Sequence, residues 1–180
     1  MTTYGSVIWI TGLSGAGKTS VAHELALRIR ARREACVVLD GDRLRAALGA
    51  SGTTADLHSR EARVALSFQY ARLCSLLAEQ GLTVIIATIS MFKEIYAWNR
   101  VSLPGYVEIF LRVPIEVLRR RDPKGIYERY DRGEITQVAG LDLVVDQPLA
   151  PDLLFDYEPR ITPEKIARQI DDFISHRAVS

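Results

Sequence analysis

The feature that most constrains this chain is the segment Gly12-Leu-Ser-Gly-Ala-Gly-Lys-Thr19, which matches the pattern GxxxxGK[ST] in full. The apolar run Val7–Ile10 comes directly before it, and a segment of helical period follows it. Glycines at these positions let backbone N–H groups turn towards phosphate oxygens, and the N-terminus of the next helix adds positive potential. The segment therefore predicts a phosphate-binding loop between a strand and a helix.

The residue types in this loop predict how a nucleotide is held. Lys18 is expected to reach the β- and γ-phosphates of ATP, and the hydroxyl of Thr19 to bind Mg²⁺. ATP and Mg²⁺ are thus the predicted cofactors. The loop residues expected to bind ATP are Gly12, Ser14, Gly15, Ala16, Gly17, Lys18, Thr19 and Ser20. A glycine-rich turn that binds no nucleotide is the alternative.

Short β-branched runs alternate with longer helical patterns along the chain, which is typical of an α/β protein with a parallel sheet. The predicted strands are Val7–Ile10, Val37–Leu39, Val84–Ala87, Val107–Leu111 and Leu153–Phe155. The predicted helices are about Lys18–Arg33, Glu61–Gln80, Lys93–Arg100, Pro114–Arg121 and Pro163–His176, the last capped by Thr162. The expected fold is a single domain over residues 1–180, with the three-layer P-loop nucleoside triphosphate hydrolase architecture and a five-stranded, mainly parallel sheet.

One long segment, about Asp122 to Pro151, fits neither a strand nor a helix pattern, because it mixes glycine, proline and charges with little apolar periodicity. A connection of this length inside a compact domain usually has a function. We expect it to act as a lid over the nucleotide site.

Composition narrows the classes of partner. The 23 Lys and Arg residues nearly balance the 22 Asp and Glu residues, which argues against binding to a nucleic-acid polymer. Cys36 and Cys74 occur without a CxxC motif, so two buried, reduced thiols are expected. The N-terminal apolar run is too short for a signal peptide or a membrane span, which predicts a cytoplasmic protein without membrane contact.

Charged residues follow the second predicted strand in the order Asp40-Gly-Asp42-Arg-Leu-Arg45. Ligands of open parallel sheets bind at the carboxyl ends of the strands, so these side chains are expected beside the phosphate-binding loop. The third strand ends at residues 87–90 without an acid, which makes Asp42 the best candidate for the carboxylate beside the metal. The alternative is that Asp40 and Asp42 only cap the next helix.

Five motifs in order make the chain resemble the adenylylsulfate kinases, which phosphorylate the ribose 3′-hydroxyl of adenylyl sulfate with MgATP. They are GLSGAGKTS, LDGDRLR for the family's LDGDxxR, ISMF for ISP[FY], RDPKGIY for RDPKGLY, and GEI…AGLD for GEI…TGID. The resemblance implies that Asp42 is the base, that Lys124 closes on the phosphates held by Lys18, and that Arg121 packs on the base of ATP. Thr19 and Asp42 are the predicted metal contacts. It also implies a homodimer and a small nucleotide as acceptor.

The resemblance further implies a set of acceptor-binding positions. These are Asp40, Arg45, Arg63, Ile89, Ser90, Met91, Phe92, Arg100, Val138, Gly140 and Leu141. For Arg100 the implied role rests on its place near the end of the third strand.

Departures from the family pattern concern the base of the acceptor. Valine replaces the aromatic residue of FTGID at Val138, and Ser51-Gly-Thr-Thr54 replaces the LGF sequence. Both lost aromatic residues are those that, by the resemblance, hold adenine between them, and each stacking contact is worth about 1–3 kcal/mol. The segment TISMFKEIYAWNR resembles a divergent branch, the cytidine diphosphoramidate kinases, which phosphorylate the 3′-hydroxyl of a cytidine conjugate.

The sequence thus favours a kinase acting on cytidine diphosphoramidate or a related cytidine nucleotide. A genuine adenylylsulfate kinase is the first alternative. The second is a regulator that binds a nucleotide without catalysis, against which the intact Lys18, Thr19, Asp42 and Lys124 speak. A nucleotide-dependent switch is disfavoured, since it would need an acid after the third strand and a DxxG-type loop.

Overall fold

The computed structural model describes residues 4–49 and 59–177. The strands are β1 (Val7–Thr11), β2 (Cys36–Asp40), β3 (Thr83–Ala87), β4 (Val107–Arg112) and β5 (Leu153–Asp156). The helices are α1 (Lys18–Ala31), α2 (Gly41–Ala47), α3 (Arg60–Ala78), α4 (Lys93–Ser102), α5 (Ile115–Arg121), α6 (Ile126–Asp131) and α7 (Pro163–Arg177).

The five strands form one parallel sheet in the order β2-β3-β1-β4-β5. All five residues of β1 are buried, because this central strand is covered on both faces. Its side chains alternate: Ile8 and Ile10 pack with α1 and α7, whereas Val7 and Trp9 pack with α3 and α4. The predicted three-layer α/β fold with a five-stranded parallel sheet is confirmed.

The predicted strands and helices begin and end within about two residues of the observed ones. Thr162 caps the last helix as predicted, because its Oγ1 accepts a hydrogen bond from the backbone N–H of Lys165 at 3.3 Å. Two short helices are additions. Helix α2 begins directly at the end of β2, where the Asp40 side chain caps it. Helix α6 lies inside the predicted lid and begins after Gly125, which has a φ of 62°. Short helices like these carry too little periodicity to be detected in the sequence.

The lid segment is otherwise irregular between α6 and β5, with one isolated bridge between Ala139 and Leu143.

The two cysteines differ in burial. Cys74 is buried, and burial raises the pKa of its thiol to about 12. Cys36 is only half-buried, and neither cysteine forms a disulfide. No helix within residues 4–49 and 59–177 has the length and apolar character that a membrane crossing requires.

Candidate active site

A cavity of about 830 Å³ opens at the carboxyl ends of β2 and β3. Three groups of residues line it: the loop between β1 and α1, the residues that follow β2 and β3, and parts of α3 and the lid. This edge of a parallel sheet is where ligands of α/β proteins bind. The fold therefore assembles the predicted phosphate-binding and acceptor-binding segments around one cavity.

The phosphate-binding loop is shaped by backbone conformations that favour glycine. Gly15 and Gly17 have φ values of 79° and 94°, in the left-handed region. Gly12 must lack a side chain because a Cβ atom there would lie 2.7 Å from the carbonyl oxygen of Leu111. No side chain caps α1 at Gly17, which leaves its first N–H groups to an anion.

The loop residues divide into those that face the cavity and those behind it. Ser14, Gly15, Gly17, Lys18, Thr19 and Ser20 line the cavity, whereas Gly12 and Ala16 do not. Ala16 is buried in the core, so its side chain and Gly12 support the loop from the protein side. The hydroxyl of the buried Tyr127 donates to the carbonyl oxygen of Ser14 at 2.9 Å and ties α6 to the loop.

Lys18 lies in the floor of the cavity, where its Nζ donates to the carbonyl oxygen of Leu13 at 2.8 Å. Burial, together with the positive charge of Lys124, lowers the pKa of Lys18 to about 8. Asp42 and Asp40 oppose this shift. Lys18 is therefore still charged near neutral pH, as phosphate binding requires.

Asp40, at the end of β2, and Asp42, in α2, make different contacts. Asp40 caps α2, because its Oδ1 accepts from the backbone N–H groups of Asp42 at 3.0 Å and Arg43 at 3.2 Å. Its Oδ2 accepts from the hydroxyl of Thr19 at 2.8 Å. The capping alternative thus describes Asp40 but not Asp42, whose exposed carboxylate forms an ion pair with Lys124 of the lid.

The charge environment keeps Asp42 ionised. Desolvation would raise the pKa of its carboxyl group, but the hydrogen bond and charge of Lys124, helped by Arg45 and Lys18, outweigh it and hold the pKa below its ordinary value. A carboxylate with a lowered pKa is a weak base in the ground state. It is nevertheless well placed to orient a hydroxyl and to accept its proton once Lys124 has moved.

The oxygen atoms of Thr19 and Asp42 are hard donors of the kind that Mg²⁺ prefers. Across the part of the chain that the structure describes, no group of three or more His, Cys, Asp or Glu side chains is arranged to hold a metal ion. This sparse donor set fits an ion that enters with the nucleotide and keeps phosphate oxygens and waters as its other ligands.

The opposite wall of the cavity is formed by α3 and the segment after β3. The hydroxyl groups of Thr88, Ser90 and Ser67 lie in a chain with successive Oγ separations of 2.8 Å. Ser90 has a φ of 27°, an uncommon value for a residue other than glycine, and its hydroxyl contacts α3 through Ser67. On the next turn of α3, the hydroxyl of Tyr70 donates to the carbonyl oxygen of Gly41 at 3.0 Å.

Arg63 and Arg45 supply positive charge on this side. Burial and the neighbouring Arg45 lower the pKa of Arg63 to about 10, so that it remains charged at neutral pH. Its Nη2 donates to the carbonyl oxygen of Gln137 in the lid at 2.8 Å. The guanidinium groups of Arg45 and Arg63 can therefore both bind an anionic acceptor, and that of Arg63 also contacts the lid.

The lid turn over residues 137–143 is a compact unit. The carboxylate of Asp142 accepts from the backbone N–H groups of Gln137 at 2.8 Å and Val138 at 2.7 Å. Gly140, with a φ of 84°, approaches the phosphate-binding loop so closely that a Cβ atom at this position would lie 2.8 Å from Leu13 Cδ1. The turn thus bridges α3 and the phosphate-binding loop.

Most predicted acceptor-side residues meet at the large cavity. Asp40, Asp42, Arg45, Arg63, Ile89, Ser90, Phe92, Lys124 and Val138 all line it. Met91 and Gly140 instead line a neighbouring cavity of about 480 Å³, and Leu141 packs against the core.

Two predicted arginines lie outside the large cavity, and their predicted roles stay predictions. Arg100 does not line the large cavity, because its guanidinium is engaged by Glu108 at 2.6 Å and Asp152 at 2.7 Å beside β4. Arg121 does not line it either; it lies over the ring of Tyr157 at 5.1 Å, with Nη1 3.5 Å from the carbonyl oxygen of Gly15. The placement of Arg100 supports a role in fold stability rather than in acceptor contact.

A further cluster of side chains, around Arg60, carries no signal in the sequence. Arg60 at the start of α3 pairs with Glu94 at 3.0 Å and with Asp146 of the lid at 3.1 Å, and its guanidinium lies 5.2 Å from the centroid of the Phe92 ring. Asp146 also accepts from the backbone N–H of Lys93 at 3.1 Å. These residues are far apart in sequence and match no motif, so only the folded chain shows that they fasten the lid to α4.

The family model for adenylylsulphate kinase matches residues 4–156. The chain belongs to the adenylylsulphate kinase family. A cytidine diphosphoramidate kinase of Campylobacter jejuni is 38% identical over 144 residues, which cover 80% of this chain and 82% of that protein. An adenylyl-sulfate kinase of Paraburkholderia xenovorans is 36% identical over 178 residues, covering 98% and 97%.

Solved structures of the adenylylsulphate kinase family agree with this assignment. The Mycobacterium tuberculosis APS kinase in complex with AMPPNP and APS superposes with a TM-score of 0.84 and 31% identity, over 96% of this chain and 98% of that one. The shikimate kinase of Aquifex aeolicus, at 13% identity and a TM-score of 0.52, shares the fold alone. The predicted kinase class, with a hydroxyl group as phosphate acceptor, is confirmed.

Proposed function

We propose that this kinase transfers the γ-phosphate of ATP to the ribose 3′-hydroxyl of a cytidine nucleotide, with cytidine diphosphoramidate or a close relative as the acceptor. The observation that carries the proposal is the lack of an open aromatic face on the described cavity wall. Tyr70 and Phe92 are the aromatic residues among those that line it, and each is only 2% exposed. Stacking on such a face is worth about 1–3 kcal/mol per base.

A smaller base suits this wall better. A pyrimidine has one ring, so it loses less when stacking partners are absent, and its polar edge can still be bound by hydrogen bonds. Val138 lines the cavity with an aliphatic side chain at the position where the family pattern has an aromatic ring. The charges of Arg45 and Arg63 suit the diphosphoramidate part of the acceptor.

The side chains around the cavity supply the parts of an in-line phosphoryl transfer. The acceptor 3′-oxygen forms a bond to the γ-phosphorus, the bond to the β,γ-bridging oxygen breaks, and ADP leaves. Asp42 orients the hydroxyl and takes its proton, while Lys18 and Lys124 balance negative charge on the transferring group. When Mg²⁺ is bound with ATP, Thr19 and Asp42 would hold it, and it would supply positive charge against the phosphates.

Lys124 links the lid to this chemistry. Its ion pair with Asp42 competes with the negative phosphates of ATP for the same ammonium group. When Lys124 turns to the phosphates, the carboxylate of Asp42 loses its ion-pair partner. The carboxylate is then free to accept a hydrogen bond from the acceptor hydroxyl as the lid closes over it.

Adenylyl sulfate is the second candidate acceptor. It is favoured by the Paraburkholderia xenovorans relative, which matches almost the full length of this chain at 36% identity. The identities of 38% and 36% to the two kinds of relative are too similar to separate the two acceptors. The homodimer, the cytoplasmic location and the movement of the lid stay predictions.

ADP release, measured with each candidate acceptor and followed by phosphorus NMR of the product, tests the proposal. We expect ADP release with the cytidine conjugate and a new phosphate ester on its 3′-oxygen. A regulator that binds nucleotides without catalysis would release no ADP with any acceptor. ADP release with adenylyl sulfate alone would replace the proposed acceptor with the second candidate.

A further inference from the structure

The lid turn contains a residue in a backbone conformation that its side chain disfavours. Gln137 has a φ of 59°, in the left-handed region that glycine adopts freely and other residues rarely do. Strained residues of this kind persist where the surrounding structure holds them, and they concentrate at functional sites. Gln137 also lines the large cavity and is half-buried.

The surrounding bonds leave the backbone of Gln137 no freedom to relax. Its carbonyl oxygen accepts from Arg63 at 2.8 Å, and its N–H donates to Asp142 at 2.8 Å. The turn is further fixed where Gly140 meets Leu13. Both backbone polar groups are thus used to fix the residue, which leaves the side chain for the cavity.

A glycine would satisfy every one of these backbone bonds without strain. What glutamine adds at position 137 is a neutral carboxamide, one donor and one acceptor side by side. The cations that line the cavity, Lys18, Arg45, Arg63, Lys124 and Arg129, suit phosphates, whereas a carboxamide matches the paired acceptor and donor on the edge of a base. Gln137 lies in the lid next to α3, on the part of the cavity wall that the phosphate-binding loop does not form.

We propose that the side-chain amide of Gln137 binds the amino-bearing edge of the acceptor base and is a specificity-determining residue of this kinase. In cytosine, the amide N–H donates to N3 and the amide oxygen accepts from the 4-amino group. The inference rests on the proposed nucleotide acceptor. Because the inference concerns the edge of the base, it predicts that the 4-amino group of cytosine donates a hydrogen bond to the side chain of Gln137.

Gln137→Met tests this contact, because methionine keeps the length of the side chain and removes its hydrogen-bonding groups. The acceptors compared are the cytidine conjugate and its pyrimidin-2-one analogue, which lacks the 4-amino group. For the wild type, we expect kcat/KM to fall at least about tenfold when the amino group is removed, as for the loss of a paired base contact. For the variant, we expect kcat/KM to be low for both acceptors and to differ less than about twofold between them.

Gln137→Gly and Arg33→Gly form the matched controls for strain. Arg33 also has a positive φ, of 61°, but it is exposed at the end of α1. Both glycine substitutions are expected to raise the unfolding temperature because they relieve strain. Only Gln137→Gly should raise the KM of the acceptor, and neither should change the KM of ATP more than about twofold.

Three results would overturn the inference. In the first, removal of the amino group lowers kcat/KM of the Gln137→Met variant as much as it lowers that of the wild type. In the second, the variant uses the cytidine conjugate as well as the wild type does. In the third, the KM of the variant for ATP rises in parallel with its KM for the acceptor. A wild-type enzyme that turns over neither cytidine acceptor would instead refute the proposed function and the base contact with it. Wild-type turnover with an unchanged variant refutes the base contact alone.

Discussion

The two walls of the cavity are built in different ways. The phosphate wall is a contiguous loop, residues 12–20, whose ligand groups are mainly backbone N–H groups at the start of α1. The acceptor wall is made of segments far apart in sequence, which side-chain bonds hold together. Examples are Arg63 with Gln137, Ser67 with Ser90, and Tyr70 with Gly41.

This difference has a chemical consequence. Backbone groups recognise phosphate in any nucleoside triphosphate, and a side-chain substitution changes them little. Side chains of the acceptor wall can be exchanged one at a time, and each exchange changes what the cavity accepts. One kinase fold can thus keep its phosphoryl-transfer chemistry while its acceptor changes.

The largest effect is expected where the two walls meet, at Asp42. The substitution Asp42→Asn removes the group that orients and deprotonates the acceptor hydroxyl, so kcat should fall about 10²–10⁴-fold. The dissociation constant of ATP should change little, because the phosphate wall remains intact. Steady-state turnover and ATP titration check both effects, and Asp131→Asn, at an exposed carboxylate on α6, serves as the control. Unchanged turnover of the Asp42 variant would contradict the assigned role.

The next largest effect is expected on the acceptor wall. The substitution Arg63→Ala removes a cation and leaves the carbonyl oxygen of Gln137 without its donor, so the KM of the acceptor should rise at least about tenfold. The KM of ATP should stay within about twofold of the wild type. Arg72→Ala is the matched control, because Arg72 is exposed on the same helix and lies over the Phe68 ring. A parallel rise in both KM values would mean that the walls are not independent.

The phosphate wall should show the clearest pH dependence. Lys18 binds phosphate in its charged form, and its pKa of about 8 means that the free enzyme loses this charge as the pH rises through that value. The affinity for ATP should therefore fall about tenfold between pH 7 and pH 9, as for the loss of one proton. Calorimetric titration across this range measures it. The Lys18→Ala variant should bind ATP more weakly and without this dependence; a similar fall in that variant would assign the titration to another group.

The smallest effect is expected where the lid is fastened behind the acceptor wall. The substitution Asp146→Ala removes the partner of Arg60 and of the Lys93 N–H, which should lower the free energy of unfolding by about 1 kcal/mol. The surface pair of Asp131 with Arg119 provides the comparison, and Asp131→Ala should change it by less than about 0.5 kcal/mol. Urea unfolding measures both. Equal effects would show that the Arg60 cluster fastens nothing.

The same contrast explains what the sequence could predict. The phosphate-binding loop and the strands depend on short-range patterns, and the structure places them as expected. Asp42 lines the cavity beside the loop, and its catalytic role stays a prediction. The bond between Arg63 and Gln137 joins residues 74 positions apart, and the Arg60 cluster joins α3, α4 and the lid, so neither leaves a local pattern. Arg100 shows the converse case. Its place near the end of the third predicted strand suggests an acceptor contact, whereas its partners Glu108 and Asp152 lie elsewhere in the chain and occupy its guanidinium.

The most direct test of the central claim is the ratio of kcat/KM for cytidine diphosphoramidate to that for adenylyl sulfate, measured on the same enzyme preparation at saturating ATP and Mg²⁺. The described part of the acceptor wall, which does not include residues 51–54, has no open aromatic face and predicts a ratio well above one, at least about tenfold, as expected for one missing stacking contact. Efficient turnover of adenylyl sulfate, with a ratio below one, would contradict the account.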